Sequence, residues 1–288
     1  MNSVNHPGQH TDKAYRLSIQ TGLNGFSFCA GTAAPYQATQ LALPVAYPVD
    51  DRNLSLIEHF FVREPALQDS YGEVAWFVDT PWYSLVPQKF FLPEMAAPEM
   101  RRHFSDSVAE SEIGFDSIEA LDAVLVYALP SGIASLLRQR FGAQLSMRHV
   151  ASDTLQKLAS QSPTNTSEPQ LHALIRESDL MVAVFQAGKP LFFNRFLRPN
   201  PAGADPGEHG SSERHDELSL LYYLLWVMQT QKMEPLEASI RILSTADLPL
   251  LKAHLPESSQ CRYPRLLLPP PVSMPLPDPF IHLLNLAL

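Results

Sequence analysis

Metal-ligating side chains crowd into one short stretch of this sequence. GEHGSSERHDE carries Glu208, His209, Glu213, His215, Asp216 and Glu217. Imidazole and carboxylate together hold divalent cations, provided that the surrounding packing fixes each ligand. The stretch follows RPNPAGADP, and glycine, serine, proline and charge dominate both. A solvated, mobile loop over 199–216 is therefore expected rather than a metal centre. Asp79 closes the apolar run EVAWFVD ahead of Thr80-Pro81. A carboxylate at a strand end can act as a general base. With no partner beside it in sequence, turn capping is the expected role. Cys29 adjoins Phe28 in an apolar run and reads as a small filler, not a nucleophile. Tyr222, Tyr223 and Trp226 could form a docking surface, but their helical spacing favours core. G-x-x-x-x-G-K-[ST], H-E-x-x-H and G-x-S-x-G are all absent from the chain.

Composition excludes further classes. The chain has 288 residues, 45% of them hydrophobic, enough for one large domain or two of moderate size. Its 21 basic and 30 acidic residues give a net charge of −9, and no local run supplies the basic stripe of a nucleic-acid binder. Two cysteines cannot build a disulfide framework. The opening MNSVNHPGQHTDK is polar and has no secretory h-region. The longest apolar run, LSLLYYLLWVM, is too short for a membrane span. A cytoplasmic location and no membrane span are the expectation.

The elements follow from periodicity. YRLSIQ alternates, TGLNG supplies turn residues, and FSFCA returns, which predicts a hairpin. ATQLALPVAYP extends it to a three-strand meander. Asp50 or Asp51 caps a helix carrying Leu54, Ile57, Phe60 and Phe61. EVAWFVD and WYSLVP are strands, and DAVLVYALP reads as a strand buried on both faces. A helix then runs from a Ser131 cap to a Gly142 stop. After the helix SDTLQKLAS, a second meander follows: LHALIRES, LMVAVFQ and LFFNRF. Residues 217–231 form an aromatic helix, apolar almost all round, expected to be buried between layers. EASIRILS is a strand and ADLPLLKAHLP a helix. LLLPPPVSMPLPDP must run extended, and PFIHLLNLAL ends the chain as an apolar helix expected to pack on the body.

The hairpin LSIQTGLNGFSF, the middle segment WYSLVPQKFF and the later DLMVAVFQAGKPLFFNRF carry a resemblance. The sequence resembles an uncharacterised bacterial family, typical of Bacteroidetes, with an actin-like ATPase fold. In its order of elements it is also similar to the actin-like protein of type IV pilus assembly. The resemblance implies an α/β fold of mixed sheets made of two ribonuclease-H-like lobes, each opened by one of the two hairpins. The implied division is a disordered 1–13, a first lobe over 14–145, a second over 146–264, and a Pro-rich segment with terminal helix over 265–288.

Such a fold hydrolyses ATP through features this chain lacks. The first meander should carry Asp-x-Gly, yet Ser18 or Gln20 stands where the acid would be, although Gly22 and Gly25 remain. The second meander's turn, Ile175–Asp179, has no glycine, and Glu177 and Asp179 would repel phosphate. Arg176 alone beside those acids gives a weak field. The adenine-side Gly-Gly is replaced by Ser244-Thr245-Ala246-Asp247. Residues 15–20 also lack the carboxylates of a two-metal nuclease. No catalytic, cofactor-binding or metal-binding residue is assigned, and ATP is not expected as a ligand. The reading is a non-catalytic scaffold with a protein partner. The alternative is an enzyme or switch holding a nucleotide or other small ligand through residues such as Thr21, Gly22, Asn24 and Ser178.

Overall fold

The computed structural model describes residues 16–22, 25–31, 37–41, 51–176, 179–197, 209–234 and 239–244. They fall into two compact units, each discontinuous in sequence. The first takes the chain up to Val78 and again over Leu129–Arg148. The second takes Asp79–Ala128 and the described residues from His149 onward.

The first unit is built on the predicted hairpin. β1 (Arg16–Gly22) and β2 (Gly25–Gly31) pair antiparallel, with Gln20 opposite Ser27 and Thr21 opposite Phe26. Strand alternation puts Leu17, Ile19, Phe26 and Phe28 on one side, and all four are buried. α1 (Asp51–Arg63) covers that side, its Phe60 and Phe61 meeting Phe26 edge-on at 5.7 and 5.4 Å. β3 (Gln37–Leu41), β4 (Glu73–Asp79) and β8 (Leu145–His149) complete a five-stranded sheet in the order β3-β2-β1-β4-β8. α3 (Ser131–Phe141) lies against α1. A Cβ on Gly132 would come within 2.9 Å of Leu54, so the absent side chain permits this approach.

The second unit repeats the plan. β9 (Gln170–Ile175), β10 (Asp179–Gln186) and β11 (Lys189–Leu197) form an antiparallel meander, and β12 (Ser239–Ser244) lies parallel beside β9. The order β11-β10-β9-β12 matches β3-β2-β1-β4. Ala187 and Gly188 both have positive φ, as a two-residue turn between twisted strands requires. α5 (His209–Thr230) packs Leu220, Leu224, Val227 and Met228 against Leu171, Val182 and Val184. A smaller sheet, β5-β7-β6, joins β5 (Tyr83–Pro87), β6 (Glu112–Ile118) and β7 (Ala123–Leu129). α2 (Ala96–Phe104) sets Met100 into a core with Val124 and Val126, and α4 (Val150–Gln161) also belongs to this unit.

Several expectations need correction. Ser131 is not the cap of α3: Pro130 holds that position and no side-chain cap forms, although Gly142 ends the helix at φ +54° as expected. Residues 209–216 are helical, not loop, because beyond Pro206-Gly207 nothing stops α5 from propagating back one residue per hydrogen bond. α5 is not buried all round either. Tyr222 is 64% exposed and Trp226 40%, because the helix packs on the four-stranded sheet by one face only. Tyr223, on the packed side, stacks on Phe196. The expected helix 246–256, the Pro-rich run and the terminal helix lie outside the described residues.

Candidate functional site

The ends of the two hairpins are where this fold could place chemistry, and they are built differently. At the first, Thr21 Oγ1 accepts a 2.9 Å hydrogen bond from the buried Trp76 indole, fixing the end of β1 to β4. Across the hairpin, Gln20 and Ser27 face each other and both are buried. Gln20 Oε1 and Ser27 Oγ have no partner among the described residues. Neighbouring Cys29 is buried as well, and burial pushes its thiol up to about 12, so it holds no thiolate near neutrality. This end has polarity but no charge.

At the second hairpin the chain leaves β9 at Arg176 and enters β10 at Asp179. The Arg176 amide donates to the Asp179 carbonyl at 2.8 Å. Arg176 also forks onto Asp79, with Nη1 at 2.7 Å from Oδ2 and Nη2 at 3.2 Å from Oδ1. Its Nε donates to Asp179 Oδ1 at 2.8 Å. Arg195, from β11, completes the group. Its Nε reaches Asp179 Oδ2 at 2.8 Å, its Nη2 bonds the same oxygen, and its Nη1 reaches Asp79 Oδ1 at 3.1 Å and the Thr80 carbonyl at 2.9 Å. All four side chains are at most 7% exposed. Two guanidiniums and two carboxylates thus cancel in a buried setting, with the geometry that a buried ion pair needs to persist.

The surroundings tie this quartet to the rest of the second unit. His149 Nε2 lies 3.0 Å from the Thr80 carbonyl, and its Nδ1 accepts from the Ala151 amide at 3.0 Å, capping α4. The Nδ1 acceptor role places the proton on Nε2. The His149 amide donates to Asp116, which also accepts from Tyr127. Tyr83 lies against His149 at 4.9 Å, and its buried hydroxyl has no partner among the described residues.

Electrostatics follow from this packing. Burial alone would raise the Asp79 carboxyl, but Arg176 and Arg195 outweigh it and hold the group well below the usual carboxylate range. Burial opposes the Arg176 charge, yet Asp79 and Asp179 fix it more firmly than in water. Burial lowers His149 to about 3 despite the pull of Asp79, so it is neutral at pH 7. The Tyr83 phenol is pushed up by burial.

The arrangement is a lock more than a reaction centre. Both guanidinium forks are occupied by carboxylates, so phosphate would have to displace an internal ion pair. His149 uses both ring nitrogens and cannot accept a substrate's proton. Among the described residues, no group of three or more His, Cys, Asp and Glu could hold a metal.

The sequence matches a family described as proteins of unknown function, DUF3822, over residues 6–247. The chain belongs to that family. No curated protein matches it. Among solved structures it is similar to a Bacteroides thetaiotaomicron protein with an actin-like ATPase fold and unknown function. The TM-score is 0.66 at 16% identity, covering 84% of this chain and 89% of that one. It is also similar to a chain of the PilM-PilN type IV pilus biogenesis complex, with TM-score 0.53 at 11% identity, covering 81% and 82%. The fold is therefore that of the actin-like ATPases, as the sequence resemblance implied.

Of the residues singled out in sequence, Asp79, Arg176 and Asp179 come together, and Asp79 is an ion-pair partner instead of a turn cap. Arg195 was missed. A usable signal existed: Asp79 ends the apolar run of β4 and Arg195 interrupts that of β11, and buried charges must pair. The side chains of the 208–217 cluster lie outside what the structure describes.

Proposed function

We propose that this DUF3822 protein is a non-catalytic, protein-binding scaffold on a degenerate actin-like fold, acting in the cytoplasm. The observation that carries the reading is the second hairpin. Where a phosphate-binding turn would need glycine and free amides, Arg176 and Asp179 bond each other and are sealed to Asp79 and Arg195. Nucleotide binding there would cost a buried ion network and gain no metal-organising acid. Two features support a partner protein. A structure of similar fold is that of a complex, PilM with PilN. The segment between β5 and α2 also exposes Phe90, Leu92 and Met95 within six residues, apolar side chains that a partner could cover. No helix among the described residues is long and apolar enough to cross a membrane.

One observation favours the second reading, a small ligand held by non-standard residues. Gln20 Oε1 and Ser27 Oγ are buried without partners among the described residues, and such groups often await a water or ligand. Thermal-shift measurements over ATP, ADP and GTP with Mg²⁺ separate the readings. The scaffold reading expects no saturable rise in Tm. A Mg²⁺-dependent rise supports the small-ligand reading instead.

A further inference from the structure

A helix without charge on any side is ordinarily buried all round, yet α5 packs on its sheet by one face only. The run LSLLYYLLWVM, residues 218–228, holds no charged residue. Its side away from the sheet is Leu218, Tyr222, Leu225 and Trp226, exposed by 50, 64, 40 and 40%. These are positions i, i+4, i+7 and i+8, one stripe along the helix. Trp226 meets Phe192 and Phe196 of β11 edge-on at 6.4 and 6.1 Å, and Tyr222 meets Tyr223 at 5.7 Å. These contacts orient the rings, and a large part of each still faces water. At roughly 200 Å² per large side chain, the exposed fractions leave about 400 Å² of apolar surface. That is about half of the ~800 Å² that each partner buries in a stable interface. Such a stripe makes the apolar centre of an interface, and exposed Gln229 and Thr230 begin a polar rim.

A second copy of this chain fits the stripe. The stripe is uncharged, so two chains of net charge −9 meet there without like charges at the contact. Two α5 helices laid antiparallel about a two-fold axis beside Leu224 set Tyr222 of one copy opposite Trp226 of the other. In sequence, the same register sets Lys232 about level with Asp216 and Glu234 about level with Arg214, each pair of opposite sign. Lys232 and Glu234 are exposed just beyond the end of α5. The antiparallel pair also brings the negative end of each helix dipole beside the positive end of the other. A parallel pair would bring like ends together.

We propose that this chain forms a two-fold dimer through the exposed stripe of α5, with Tyr222 of each copy packed on Trp226 of the other. The inference goes beyond the scaffold reading and does not depend on it.

The test is analytical ultracentrifugation of the full chain over a range of micromolar concentrations. The expected result is a reversible dimer that dissociates on dilution. Tyr222→Glu and Trp226→Arg should each weaken it about tenfold or more, because each places an unpaired charge at the apolar contact. Mixed in equal amounts, the two variants should dimerise again. The glutamate of one then faces the arginine of the other, and the remaining tyrosine faces the remaining tryptophan. Val62→Ser, which removes an exposed apolar side chain from α1, should leave the dimer unchanged. Leu218→Glu, at the start of the stripe, should also weaken the dimer and carries the test if either aromatic variant fails to fold. A monomer at every concentration overturns the proposal. So does a dimer that persists in folded Tyr222→Glu or Leu218→Glu, and so does a mixture of folded variants that stays monomeric. A monomer leaves the scaffold reading standing, whereas a nucleotide-dependent thermal shift overturns that reading and leaves the dimer untouched.

Discussion

β1-β2 and β9-β10 occupy equivalent places in two sheets of the same strand order, and they end in opposite ways. The first hairpin closes on Gln20 and Ser27, uncharged and buried, whose Oε1 and Oγ have no partner among the described residues, with Thr21 held by Trp76. The second opens on Arg176 and Asp179, fully charged and fully paired through Asp79 and Arg195. An actin-like ATPase would need acids and glycine turns in both places. On the scaffold reading the two ends depart from that chemistry by different routes: among the described residues one has no charge to organise a metal, and the other has spent its charge on itself. The same backbone plan therefore constrains strand order without constraining what the strand ends do.

The comparison can be broken most forcefully at the second hairpin. Arg176→Ala leaves Asp79 and Asp179 buried with Arg195 as their remaining cationic partner in the quartet. Loss of one partner from a buried pair costs about 3–5 kcal/mol, so urea melts should show a large drop in midpoint. Asp79→Asn, which keeps shape and some hydrogen bonding, should cost less. Equal and small effects of the two would mean that the quartet is a passive surface feature.

Acid should act next. Burial lowers the folded pKa of His149 to about 3 and that of His172 to about 4, both below the ordinary value near 6.5. The unfolded chain binds those protons first, so stability falls as pH drops below about 6.5, by about 1.4 kcal/mol per pH unit per histidine. The loss continues to about pH 4 for His172 and about pH 3 for His149. The depressed Asp79 carboxylate adds stability above its unfolded pKa of about 3.9, lost only as pH falls through its lower folded value. Stability constant from pH 7 to pH 5 would contradict this. His149→Gln, which can keep one of the two hydrogen bonds, should flatten part of the slope.

The first hairpin should respond more gently. Trp76→Phe removes the donor to Thr21 and should cost about 1–3 kcal/mol for the stranded hydroxyl and lost volume. Gln20→Met and Ser27→Ala remove Gln20 Oε1 and Ser27 Oγ, which have no partner among the described residues. Each should leave stability within about 0.5 kcal/mol or raise it slightly. A loss above about 2 kcal/mol for either would reveal a partner that completes this site.

How much of this was legible in the sequence depends on what each feature is made of. Hairpins, the β7 run AVLVYAL and the Gly142 stop declare themselves through local periodicity and special φ, so they were readable. β6 was not: EIGFDSI holds a glycine whose added Cβ would lie 2.8 Å from Tyr127, and that reason is visible only across strands. α2 hides because Pro98 sits in its first turn, where a helix tolerates it but a sequence reader sees a breaker. The quartet is harder still. Asp79 and Arg176 are 97 residues apart, and no local pattern links them. What could be read was the missing glycine at Ile175–Asp179; that ion pairs fill the place of the lost turn could not.

The central claim is that both hairpin ends have given up nucleotide chemistry. Isothermal titration of ATP with Mg²⁺ into the full chain tests it directly, read beside the Tm at millimolar nucleotide. A ligand at a hundred times its Kd would stabilise by about 2.7 kcal/mol, easily seen as a higher Tm. The account predicts no saturable heat and no shift. A saturable, Mg²⁺-dependent signal that disappears in Gln20→Met or Arg176→Ala, with the variant still folded, would contradict it.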